Sequence, residues 1–102
     1  MRIERWNVHR DGAFSEGALR QKVEARGPVV TPCRYPPSCL VALPADTRER
    51  RLGLAAGMLK ATIGEESAIL AAGDILTIPA GSVCRVEVLG PSDVNGFHAE
   101  GL

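Results

Sequence analysis

The sequence predicts an all-β antiparallel barrel with one short helix near its N-terminus. Two observations carry this. From residue 29 onward, short apolar stretches alternate with turn residues at a spacing too tight for helices between strands. Helical periodicity occurs once, over residues 15–26.

Residues 1–8 read as a short strand with Ile3 and Val8 as its apolar members. The helix that follows has Ser15 as N-cap, where its hydroxyl can accept from an orphan backbone N–H, and Glu16 adds negative charge in the first turn. Phe14 and Leu19 stand in the relation of a hydrophobic staple, Leu19 and Val23 continue one apolar stripe, and Gly27-Pro28 ends the helix near Arg26. The strands are expected at 29–35, 40–43, 51–56, 58–63, 67–71, 75–78, 83–89 and 94–98. The breaks between them hold Pro36-Pro37, Pro44, Gly57, Gly64-Glu65-Glu66, Gly73-Asp74, Pro79-Ala80-Gly81 and Gly90-Pro91. Leu54, Ala56, Leu59 and Ala61 are of modest volume, so aliphatic side chains are expected to fill the interior, and Met58 reads as core.

The 102 residues read as one domain, with 1–28 forming an N-terminal strand and helix and 29–102 the barrel. An apolar content of 45% suits a globular core. Twelve basic and twelve acidic residues cancel, which removes the electrostatic case for nucleic acid or an anionic membrane. No apolar run approaches the roughly 20 residues of a membrane span, and the charged N-terminus lacks a signal peptide's apolar stretch, so a cytoplasmic location is expected. Three cysteines without a paired spacing make neither a disulfide framework nor a zinc cluster, and Cys33 and Cys39, flanking Tyr35-Pro36-Pro37, are expected as free thiols.

The most informative segment is Gly73 to Gly90. With Gly73-Asp74 and Pro79-Ala80-Gly81 it resembles the second signature of the cupins, G-D-x4-P-x-G-x2-H-x3-N, preceded by Leu70-Ala71-Ala72 as in the family's usual L-x-x-G-D. The family's first signature, G-x5-H-x-H-x3-E-x6-G, then falls on Ser38 to Gly57. The N-terminal stretch is similar to one group of small bacterial cupins. The resemblance implies a jelly-roll cupin barrel and a homodimer pairing through an N-terminal strand and a sheet face. Covering an open sheet edge is a physical motive for such pairing, with Trp6 and its strand as candidate contact.

In the family, four ligands converge inside the barrel on a divalent metal. Here those positions carry Pro44, Asp46, Arg50 and Cys84, and the opening glycine is Ser38. Proline offers no ligand and a guanidinium repels a cation, so the resemblance implies a vestigial site without metal or other cofactor. Asp46 and Arg50 are read either as an ion pair in the metal's place or as part of a drifted loop in which Arg48 to Arg51 form a solvated run. Cys84 is expected to face inward as a small hydrophobe. His9 and His98 fall on no ligand position and read as surface or structural residues.

The functional expectation is a non-enzymatic cupin-type protein that binds a small molecule in the barrel or a partner protein. The alternative is an oxygenase- or isomerase-type enzyme with an unconventional site around Asp46 and Cys84, extended to His98, or a metal-free barrel needing an inward His, Glu or Tyr for proton transfer. A regulatory module acting through a partner chain is the third reading.

Overall fold

A computed structural model describes residues 1–100 of the chain. The elements run β1 (Arg2–Glu4), α1 (Val8–Asp11), α2 (Glu16–Glu24), β2 (Val29–Tyr35), β3 (Leu40–Leu43), β4 (Arg50–Ala56), β5 (Met58–Ile63), β6 (Glu66–Leu70), β7 (Ile75–Ile78), β8 (Cys84–Leu89) and β9 (Val94–Glu100). All strand pairings are antiparallel. They build a five-stranded sheet in the order β1-β7-β4-β9-β2 and a four-stranded sheet in the order β3-β8-β5-β6. This is a cupin-type antiparallel barrel, as the sequence predicts.

Period-two alternation makes the core. Leu52 and Leu54 of β4 and Leu76 and Ile78 of β7 meet Leu59 and Ala61 of β5, Leu70 of β6, and Cys84, Val86 and Val88 of β8 from the facing sheet. A second cluster lies on the outer side of the five-stranded sheet, where Leu19 and Val23 of α2 pack on Ile75, Phe97 and Ala99. Ser15 caps α2 as expected, its Oγ accepting from Ala18 N at 3.0 Å. Gly53 lets the helix dock: a Cβ there would lie 2.7 Å from Val23 Cγ2.

The turn chemistry of the 73–82 segment is as the sequence implies. The Asp74 carboxylate accepts from Ala71 N at 2.8 Å and is paired with Arg5. Ser82 N donates to Pro79 O at 3.2 Å. Ser38, standing where the family signature has glycine, adopts a left-handed φ of 64°.

Three expectations are corrected. The N-terminal strand stops at Glu4, and Val8 begins a one-turn helix capped by Asn7, whose Oδ1 accepts from His9 N at 2.9 Å while Asp11 Oδ2 accepts from Asn7 N at 3.0 Å. Ile3 and Val8 differ in parity, so one strand could not have faced both inward. Ala56 is exposed because a bulge between Leu54 and Ala56 reverses the strand's phase. Met58 is exposed because Leu59 and Ala61 take the inward positions of β5. Trp6, named as a candidate dimer contact, is half-buried and packs against the helix-side cluster: its Nε1 donates to Gly12 O at 3.0 Å, Phe14 meets it edge-on at 5.2 Å, and Lys22 Nζ lies 5.0 Å from its ring centre.

The N-terminal segment is held to the helix by charge. Lys22, nearly enclosed, bridges Asp11 at 2.7 Å and Glu4 at 3.0 Å, and Arg26 also pairs with Glu4 at 2.7 Å.

Candidate functional site

The start of β4 and the start of β8 lie at the same end of the barrel, in opposite sheets. Arg50 opens β4, with Ile78 and Glu100 as its neighbours across the sheet. Its phase matches Leu52 and Leu54, so the strand's own alternation sends a guanidinium-bearing side chain inward, and only 8% of the residue is exposed. Cys84 opens β8 and is fully buried in the core cluster. Burial pushes its thiol up, and the nearby Arg50 charge acts in the opposite direction.

The loop residues behave differently. Pro44 is exposed. Asp46 is half-buried and turned to its own loop, its Oδ1 accepting from Arg48 N at 3.0 Å and lying 3.5 Å from Thr47 Oγ1. The Arg48 N–H lowers its carboxyl's affinity for a proton, and the field of Arg50 adds to this. Asp46 O also accepts from Gly81 N at 2.7 Å, which ties this loop to the β7–β8 connection. Neither sequence reading of the 46–51 segment describes this arrangement. Asp46 and Arg50 make no ion pair, and Arg50 is not part of a solvated run, because it already belongs to β4.

Arg50 Nη2 donates to Ser82 O at 3.2 Å, and Arg50 Nε is buried without a hydrogen-bond partner. The acids around it are engaged elsewhere. Glu49 pairs with Arg2 at 3.3 Å and Arg51 at 3.4 Å, and the Glu100 carboxylate lies 3.9 Å from Arg48. A buried guanidinium with only a neutral carbonyl as partner is an expensive arrangement.

Sequence reasoning named His98 only as an extension of the alternative Asp46–Cys84 site and missed Tyr35 and the pair the two make in the interior. Tyr35 closes β2 and His98 lies in β9, and Tyr35 Oη and His98 Nε2 share a hydrogen bond of 2.8 Å. Both lie on the inward phase, His98 beside Leu52 and Tyr35 beside Val94. Burial raises the Tyr35 hydroxyl, with the neighbouring Cys33, Cys84 and Cys39 acting in the same direction. Burial and then Arg50 lower His98, while Glu100 opposes them, so the imidazole is biased to its neutral form. Burial pushes the Cys33 thiol up to about 11, where it is a poor nucleophile. All three cysteines are free.

A cupin fold implies a divalent metal at this end of the barrel, and the residues present do not fit one. Among the described residues no three His, Cys, Asp or Glu side chains are grouped to hold an ion. The charge of the buried cation Arg50 acts on Cys84, His98 and Asp46, the side chains there that could ligate. Two open clefts flank the β7–β8 connection instead. One, of about 390 Å³, has Arg2, Glu49, Ile63, Thr77 and Pro79 among its walls, and the other, of about 440 Å³, is lined by Thr62, Ile63, Gly64, Ser82, Val83 and Arg85.

No family model matches the sequence, and no curated protein is similar to it. Solved structures are similar in fold. A Cupin 2 conserved barrel domain protein from Salinispora arenicola superposes with a TM-score of 0.65 at 14% identity, over 72% of this chain and 61% of that one. The CENP-C cupin domain of Drosophila melanogaster gives 0.64 at 16% identity, over 71% and 59%. A protein from Thermotoga maritima described as a predicted oxalate decarboxylase gives 0.66 at 16% identity, over 87% and 75%. The chain thus spans about three fifths of the first two proteins. At these identities the likeness shows the fold: a cupin barrel, which hosts an enzyme description in one neighbour and a CENP-C domain in another.

Proposed function

We propose that this chain is a metal-free cupin-type binding module, which takes a small molecule at the barrel end around Pro44, Asp46, Arg50 and Cys84 and works as a cytoplasmic homodimer. The observation that carries the reading is Arg50. A scaffold built to gather ligands around a cation here buries a cation of its own, with Nε unpartnered. Such a group repels a metal and offers a hydrogen-bond donor to an incoming molecule. Charge balance and the lack, among the described residues, of any helix long and apolar enough to cross a membrane fit a module acting on neither nucleic acid nor membrane.

A partner protein is a second occupant for such a module, and one similar structure is of Drosophila melanogaster CENP-C bound to CAL1. The enzyme reading keeps one specific support, the inward Tyr35–His98 pair, which supplies the acid–base groups a metal-free barrel would need.

The test is a backbone amide shift titration with neutral, cationic and anionic small molecules, run beside metal analysis of untagged protein. Binding that moves the amides of Arg50, Ser82 and Cys84, with no stoichiometric transition metal, is the expected result. About one tightly held ion per chain, lost in Asp46→Ala or Cys84→Ser, would overturn the metal-free reading and promote the enzyme. Light scattering at micromolar concentration reads the dimer, and a monomer refutes that part.

A further inference from the structure

We infer that the ligand is a carboxylate with a short apolar body, received by the Arg50 guanidinium beneath the β7–β8 connection. This rests on the binding-module reading above and adds the chemical class of the ligand. Arg50 is 8% exposed and its Nε has no partner. Its one described hydrogen bond goes to a neutral acceptor, Ser82 O at 3.2 Å.

The local acids cannot supply the missing charge as they stand. Asp46 accepts from Arg48 N, Glu49 is held by Arg2 and Arg51, and Glu100, directly across the sheet, is turned toward Arg48. Among the described residues, then, no carboxylate is paired with the guanidinium, although its field reaches Asp46. A planar fork of N–H donors in a low-dielectric setting is best satisfied by a planar two-oxygen acceptor, which a carboxylate is.

The approach is also defined. Ser82, whose carbonyl Arg50 holds, is a wall of the cleft of about 440 Å³. The walls of that cleft include the cation Arg85, the apolar side chains Ile63 and Val83, and no carboxylate, while Arg50 is not itself a wall and adjoins the cleft through its bond to Ser82 O. A carboxylate arriving there meets Arg85 first. It then exchanges for the Ser82 carbonyl on Arg50, while an apolar body remains against Ile63 and Val83. The size is within the range of small-molecule sites.

The probe set is benzoate with two isosteres, neutral benzamide and cationic benzamidine, titrated at constant ionic strength. Calorimetry and the ¹⁵Nε signal of Arg50 are the readouts. Benzoate is expected to bind and to move the Arg50 Nε–H signal together with the amides of Ser82 to Arg85. Benzamide and benzamidine are expected to bind at least tenfold more weakly. Arg50→Met removes the fork and should weaken benzoate at least tenfold. Arg50→Lys keeps the charge without the fork and should fall between. Arg85→Met should weaken binding modestly and reduce its salt dependence. Urea unfolding of each variant confirms that it is folded.

Equal binding of benzamide and benzoate, unchanged in Arg50→Met, overturns the carboxylate inference and leaves a binding barrel. No binding of benzoate overturns the inference as well. If neutral and cationic probes also leave the barrel untouched, the small-molecule reading falls with it.

Discussion

Replacing Arg50 with methionine is expected to stabilise the protein, against the usual direction of core substitutions. The side chain replaces the aliphatic stem of Arg50 at the same inward position of β4 and ends short of the guanidinium. The substitution forfeits one charge-assisted hydrogen bond, to Ser82 O at 3.2 Å, worth about 1.5–3 kcal/mol. It also relieves a buried charge that has no carboxylate partner among the described residues and an unsatisfied Nε, a penalty of about 3–5 kcal/mol where a buried pair has been broken. The difference is a gain of about 0–3.5 kcal/mol, centred on about 2 kcal/mol, and each kcal/mol raises the melting temperature of a domain this size by about 4–8 °C. Urea unfolding of both proteins at pH 7.5 in ligand-free buffer measures it. An NMR titration of His98 in the same samples gives a second readout that stability alone would not move. Arg50 is among the charges that disfavour the imidazolium, so the imidazole should titrate at higher pH once it is removed. A loss of more than about 1 kcal/mol in Arg50→Met would refute the reasoning, since it would mean that Arg50 is compensated in the folded state.

Gly53→Ala should cost about 1–3 kcal/mol by overpacking, since its Cβ would lie 2.7 Å from Val23 Cγ2; combined with Val23→Ala, the loss measured by urea unfolding should be smaller than the sum of the two. Ser38→Gly should gain up to about 1 kcal/mol, the left-handed penalty of about 1–2 kcal/mol at φ 64° being partly offset by glycine's larger backbone entropy, whereas Ser38→Val should lose stability. For His98, the folded state holds the imidazole below its ordinary 6.5, so the unfolded chain takes up the proton first as pH falls. Stability should therefore decline below about pH 6.5, by at most about 1.4 kcal/mol per pH unit from this group, until the folded imidazole itself titrates. His98→Gln should flatten that decline between pH 7 and 5 in pH-dependent urea unfolding.

Much of the barrel was legible because its signals are local. The bounds of β2, β3, β5 and β7 coincide with the apolar stretches that predict them, and Ser15, Gly73-Asp74 and Pro79-Gly81 mark their turns by backbone chemistry that operates within a few residues. The candidate site was legible only in part. The resemblance pointed to 50 and 84 as inward positions, but nothing in it includes Tyr35 or His98. Those two meet across 63 residues of chain. Strand β9 conceals its inward phase because both faces are covered, Val94 toward the other sheet and Phe97 and Ala99 toward α2, so no alternation singles out His98. The bulge that turns Ala56 outward has no turn residue to announce it within the strand.

By itself, then, the sequence determined the class of fold, the helix with its cap and the turn-forming residues. Only the tertiary structure decided that Arg50 is enclosed while Asp46 turns to its own loop, that Trp6 is engaged within the chain, and that Tyr35 and His98 share a hydrogen bond. Turn and strand preferences are set by neighbours along the chain. The partner of a charge or a ring nitrogen is set by sheet order and register, which exist only once distant strands have paired.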